Sequence, residues 1–152
     1  MALPNIFTRS VTDEVIGRIN KLTPATQPQW GKMSVSQMLA HCCVTYEMAY
    51  ENKHPKPSGL ARFFLKAFVK DIVVSEKPYK HNSRTAPAFL VTDEKVFETE
   101  KKRLTDYLNK TEQLGIAHFD GKESLSFGKL NKQEWNNMLY KHLDHHLTQF
   151  GV

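Results

Sequence analysis

Apolar residues recur at three- and four-residue spacing in four stretches of the chain, the pattern of a helix with one buried face. Residues 10–22 carry Val15, Ile16, Ile19 and Leu22 on one side, with Thr12 as the expected N-cap and Thr23-Pro24 as the stop. Residues 34–51 open with Ser34 three positions before Gln37, a capping-box spacing, and place Val35, Met38, Leu39, Val44 and Met48 at contact positions. Residues 93–114 carry Val96, Phe97, Leu104, Tyr107 and Leu108 among many surface charges. Residues 131–150 repeat the capping pattern with Asn131 and Glu134, and Gly151 follows where a helix commonly ends.

The connections differ in kind. Residues 23–32 are short and hold two prolines, which suits a tight return. Residues 52–92 are too many for a bare loop, so a fifth helix is expected at 60–74 (LARFFLKAFVKDIVV), closed off by Pro78 and Pro87. Residues 115–130 fit a short strand pair or an irregular loop. With no internal repeat or low-complexity tract, residues 1–152 read as one domain. The expected class is all-α, a four-helix bundle with a long crossover containing an extra helix.

Composition narrows the function. Lys and Arg number 21 against 16 Asp and Glu, a net charge of +5, and no basic stripe stands out. Nucleic-acid binding is therefore not expected. No apolar run reaches the length of a membrane span, and MALPNIFTRSVTDEV lacks the basic-then-apolar layout of a signal peptide. The two cysteines, Cys42 and Cys43, are adjacent and cannot staple a fold, which points to a reducing, cytoplasmic compartment. Cys42 is expected at a pocket edge and Cys43 against another helix. The aromatic-basic segment Arg62 to Lys70 reads as a surface over the bundle mouth, a lid or a homodimer contact, in preference to a membrane-surface helix.

Seven histidines are the informative count. His142 and His146 lie four apart, so on a helix they share one face about 40° apart and can both reach one metal ion. His145 and Gln149 fall near that face, and Asp144 points away from it. His41 sits on the largely apolar stripe of the second helix with Met38, Thr45 and Met48. A core histidine there can converge with the pair, giving three imidazoles and one open position, the pattern of a catalytic zinc-type site. His54, His81 and His118 carry no spacing argument.

Three blocks of this chain resemble the DinB-like superfamily: Trp30-Gly31-Lys32-Met33-Ser34 leading to Gln37-Met38-Leu39-Ala40-His41-Cys42, the segment Ser83-Arg84-Thr85-Ala86-Pro87, and Phe127-Gly128-Lys129-Leu130 with Trp135 and the closing Tyr140 to Phe150. The resemblance implies an up-down-down-up bundle with a divalent metal, zinc or nickel, on His41, His142 and His146. Many members follow the paired histidines with Arg-Gly-Gln. Here the tripeptide is Leu147-Thr148-Gln149, so only the glutamine matches.

A divalent ion on three neutral imidazoles keeps its charge and lowers the pKa of a bound thiol or water. The resemblance points to transfer of a small-molecule thiol to an electrophilic substrate. Hydrolysis is the weaker reading, because Glu47 lies about 120° around the helix from His41 and no HExxH-type glutamate is present. The non-enzymatic alternative is a metal-binding structural or stress-associated protein. Gln149 and His145 are the candidates for residues that support the metal ligands.

Overall fold

The computed structural model describes residues 2–152; Met1 of the expected 1–152 unit lies outside them. The protein is all-α apart from one minimal strand pair. Its helices are α1 (Arg9–Asn20), α2 (Val35–Tyr50), α3 (Gly59–Phe64), α4 (Lys70–Val74), α5 (Phe97–Phe119) and α6 (Lys132–Gln149). A π-helical turn, Leu65–Val69, joins α3 to α4, and a 3₁₀ turn, Pro87–Phe89, interrupts the segment before α5. The strands β1 (Glu123–Ser124) and β2 (Gly128–Lys129) pair antiparallel between α5 and α6. The helical crossover expected at 60–74 is present.

The helix starts follow local chemistry. Ser34 accepts from the Gln37 backbone N–H while the Gln37 side chain accepts from the Ser34 N–H, and Asn131 and Glu134 exchange the same pair of bonds. Gly151, at φ 76°, takes the left-handed conformation just past α6.

Two expected boundaries are corrected. The N-cap of α1 is Thr8, not Thr12. Thr12 is fully buried inside the helix, where its hydroxyl donates to the Ile6 carbonyl at 2.8 Å. The third long helix starts at Phe97, not 93, because Asp93 is held outside it: Lys95 grips its carboxylate at 2.7 Å and the Gln37 amide donates to its carbonyl at 3.3 Å. Val96, expected on the buried stripe, is 67% exposed. At the other end α5 passes through Gly115, at φ 72°, and continues four residues to Phe119. Phe119 has no exposed surface and packs on Phe7 and Trp135, which gives the chain a reason to resume its helix beyond the kink.

The core is formed where α1, α2, α5 and α6 meet, around Ile19, Met38, Leu39, Leu104, Leu108, Trp135 and Leu143. Cys42 and Cys43 are free thiols inside it. Cys42 is therefore a core residue rather than a pocket edge; its thiol contacts the Met38 sulfur, and that of Cys43 faces the Glu100 carbonyl on α5. Burial pushes both thiols up, Cys43 to about 12, so both stay protonated and unreactive.

α6 also ties in its surroundings through buried polar side chains. Asn136 accepts from the Ile6 N–H and donates to the Pro4 carbonyl, and Asn137 donates to the Val74 carbonyl. Lys141 donates to the carbonyls of Ile72, Ser75 and Lys77 at 2.8, 2.5 and 3.0 Å, gathering the end of α4 with a cation where a helix C-terminus favours one. One face of α6 thus fixes the crossover, and another face carries the histidines. Among the described residues no helix is long and apolar enough to cross a membrane.

Candidate metal centre

α2 delivers His41 from its buried face and α6 delivers His142 and His146 one turn apart. The three side chains meet: their donor atoms all lie within 4.8 Å of one another. His41 Nε2 and His142 Nε2 are 2.9 Å apart, and the His41 and His146 rings stand edge to face at 4.5 Å between centroids.

The outer nitrogens determine what the inner ones can do. His41 Nδ1 lies 2.8 Å from the Phe89 carbonyl, which can only accept, so the proton is on Nδ1 and Nε2 presents a lone pair to the cluster. His146 Nδ1 is 2.8 Å from Gln149 Oε1, and Gln149 Nε2 donates to the Trp30 carbonyl at 2.7 Å. Trp30's carbonyl fixes the amide's orientation, so Oε1 faces His146 and His146 likewise carries its proton on Nδ1. His142 Nδ1 contacts the Thr45 hydroxyl at 3.1 Å. A hydroxyl donates or accepts, so Thr45 accommodates either tautomer of His142: Nε2–H bonding to His41, or Nε2 as a third lone pair. Metal-ligating histidines ordinarily have such outer partners, which set tautomer and ring orientation.

All three imidazoles are held neutral. Burial is the leading cause, lowering His41, driving His146 down to about 3 and His142 well below the usual histidine range. The neighbouring histidines add to this at His142 and His146. Three uncharged nitrogen donors turned inward fit a borderline-soft divalent ion.

The other sequence candidates take definite places. Gln149 orients His146, as just described. His145 makes no hydrogen bond to a cluster histidine; it touches His146 edge-on at 5.0 Å and packs among Trp30, Tyr79 and His81. It is partly buried, and burial lowers its pKa. Asp144 turns away and pairs with Arg18 at 2.8 Å. Glu47 pairs with Arg103 and with His54.

Several contributors lie in segments without a helical pattern. Phe89 supplies both its carbonyl to His41 and its ring, which packs on His41 and His142 at 5.4 and 5.8 Å between centroids. Trp30 braces Gln149 and stacks on His81 at 3.8 Å. Gly31 has to be glycine: at φ 85° an added Cβ would stand 2.6 Å from the Gln149 amide nitrogen. The Trp-Gly pair and the Pro-Ala-Phe turn are the only sequence traces of these roles.

Residues 7–151 match the family described as Protein of unknown function (DUF1569), and the chain belongs to that family. No curated protein and no solved structure matches it.

Proposed function

We propose that this protein holds one divalent metal ion, zinc or nickel, on His41, His142 and His146, and uses it to transfer a low-molecular-weight thiol to an electrophilic substrate. The observation that carries the reading is the convergence of three neutral imidazoles from two helices, two of them with the outer proton fixed by a carbonyl-type acceptor. The reading includes membership of the DinB-like superfamily, with α1, α2, α5 and α6 as an up-down-down-up bundle in one domain. Two buried free thiols support a cytoplasmic setting.

A divalent ion in this cluster supplies positive charge that acidifies a thiol at neutral pH. Gln149 and the Phe89 carbonyl hold His146 and His41 in the donating tautomer, and Thr45, which can donate or accept, lets His142 move its proton to Nδ1 and turn a lone pair inward. The sulfur forms a bond to the electrophilic carbon as the leaving group departs with its electron pair, and the thiol proton passes to solvent. Thiol transfer is preferred to hydrolysis because Asp144 and Glu47, the carboxylates flanking the histidines in sequence, are engaged by Arg18, Arg103 and His54 away from the cluster. A general base for water therefore has no carboxylate among them.

A second reading has its own support. The Phe89 ring lies against His41 and His142, and an ion so covered would tie α2 to α6 without turnover. Zinc- and nickel-loaded protein assayed with a panel of small thiols and an alkylating electrophile separates the two. Thioether formation that disappears in His142→Ala supports transfer. Metal bound at one equivalent, a Tm that falls on chelation and no thioether from any thiol would assign the site to structure.

A further inference from the structure

The crossover presents an apolar stripe to solvent. Leu60, Phe63, Phe64, Phe68 and Ile72 are 70, 65, 50, 69 and 58% exposed, while Leu65, Val69 and Val73 pack inward on the core. Phe64 and Phe68 stack at 6.1 Å and Phe63 meets Phe64 edge-on at 5.8 Å, so the rings form one continuous slab.

The π turn explains why the stripe is straight. In an α-helix a row of every fourth residue winds by about +40° per step. A π turn of roughly 4.4 residues winds the same step back by about 33°. With the π turn at Leu65–Val69 between α3 and α4, residues 60, 64, 68 and 72 stay in line along the crossover. The row is also symmetric in spacing about residue 66, and a helix whose apolar row reads the same from either end is self-complementary when a copy is laid antiparallel on it.

We propose that this stripe is the two-fold interface of a homodimer, with Leu60 opposite the partner's Ile72 and Phe64 opposite the partner's Phe68. Side chains of this size and exposure offer on the order of 500 Å² of apolar surface. That is most of the roughly 800 Å² per partner in a standard interface, and the polar rim supplies the rest. Contiguous apolar patches of several hundred Å² are uncommon on monomers. The platform is firm, since Lys141 and Asn137 bind the inner side of the crossover to α6. A second copy fits better than an anionic membrane. Of the three cations along the crossover, Arg62 and Lys70 are already paired with Glu123 and Glu134, which leaves Lys66 as the one without an ion pair among the described residues, and exposed Asp71 adjoins Ile72. A membrane-surface helix keeps a free basic face instead.

Light-scattering mass across a range of concentrations up to 100 µM (about the level where weak dimers form) tests the proposal on the full chain. The wild type should reach twice its 17.5 kDa, and Phe64→Glu with Phe68→Glu should remain at 17.5 kDa with unchanged circular dichroism. Register is tested independently with the aromatic slab intact. Leu60→Cys with Ile72→Cys should cross-link between chains on mild oxidation, whereas Leu60→Cys alone should not, its copies being about 18 Å apart. A monomeric wild type, a dimer that survives the double glutamate change, or cross-linking by Leu60→Cys alone would overturn it. So would a monomer that sediments with phosphatidylserine vesicles, which would assign the stripe to a lipid surface.

Discussion

At the histidine centre, polar side chains lie inside the protein with their outer atoms partnered. Along the crossover, large apolar side chains stand outside and pack on one another at the surface. Both depart from the ordinary sorting of residues, in opposite directions, on elements bolted together by Lys141 and Asn137. Buried polar groups cost free energy unless hydrogen-bonded, and exposed apolar groups forgo the gain of burial. On the two proposals above, each departure marks a place for a further partner: an ion in one, a second copy of the chain in the other.

The comparison can be broken first at its polar end. Removing one of three ligands should abolish the site, so His142→Ala is expected to take up no zinc or nickel under conditions where the wild type holds one equivalent, as read by equilibrium dialysis. Acid should act on all three imidazoles together. Folded His41, His142 and His146 titrate below the ordinary histidine value. Below about pH 6.5 the unfolded chain therefore binds more protons than the folded one, and stability falls as pH falls. Each extra proton contributes a slope of about 1.4 kcal/mol per pH unit, continuing toward pH 3, where His146 itself protonates. Urea unfolding of metal-free protein at pH 7, 6, 5 and 4 measures it, and a flat profile would show that the imidazoles are not buried as described.

Lys141 joins the two regions. Lys141→Met leaves three carbonyls on the crossover without their shared ammonium donor and should cost about 2–3 kcal/mol in chemical denaturation. Gln149→Ala is a milder change at the site itself. It frees the Nδ1 of His146 and is expected to weaken metal binding by about 10- to 100-fold without abolishing it. The smallest effect belongs to the stripe. In dilute, monomeric protein Phe68→Ser should shift stability by no more than about 0.5 kcal/mol, because that ring is 69% exposed and its ring contact is with Phe64 on the same surface. A larger loss would mean the ring supports the monomer's own packing.

How much of this could be read from the sequence depends on how local the cause is. Both capping boxes involve residues three apart and were legible, as was the His142–His146 pair, whose geometry follows from helical repeat alone. The inward aim of His41 followed from the apolar stripe around it. Thr45 shares that stripe, but its hydroxyl could be assigned to His142 only once α2 and α6 were placed together. Phe89 and Trp30 reach the site from 48 and 119 residues away in sequence, counted to His41 and Gln149, and no periodicity announces such contacts. The start of α5 at Phe97 and not 93 has a related cause, since Asp93 is tethered to Lys95 and, through its carbonyl, to distant Gln37. The helix also runs past the expected end at 114: it kinks at left-handed Gly115 and resumes to Phe119, whose ring is buried in the core. The exposed side of the crossover was visible as an aromatic-basic run, but its straightness rests on a π turn that sequence spacing does not specify.

Elemental analysis of untagged protein, beside His41→Ala and His146→Ala, tests the central claim most directly, since the two variants remove one ligand from each helix. The account predicts close to one zinc or nickel per wild-type chain and almost none in either variant. A wild type that holds no metal and takes up neither ion when offered it would contradict the account, and the three histidines would then be a buried hydrogen-bonded cluster and nothing more.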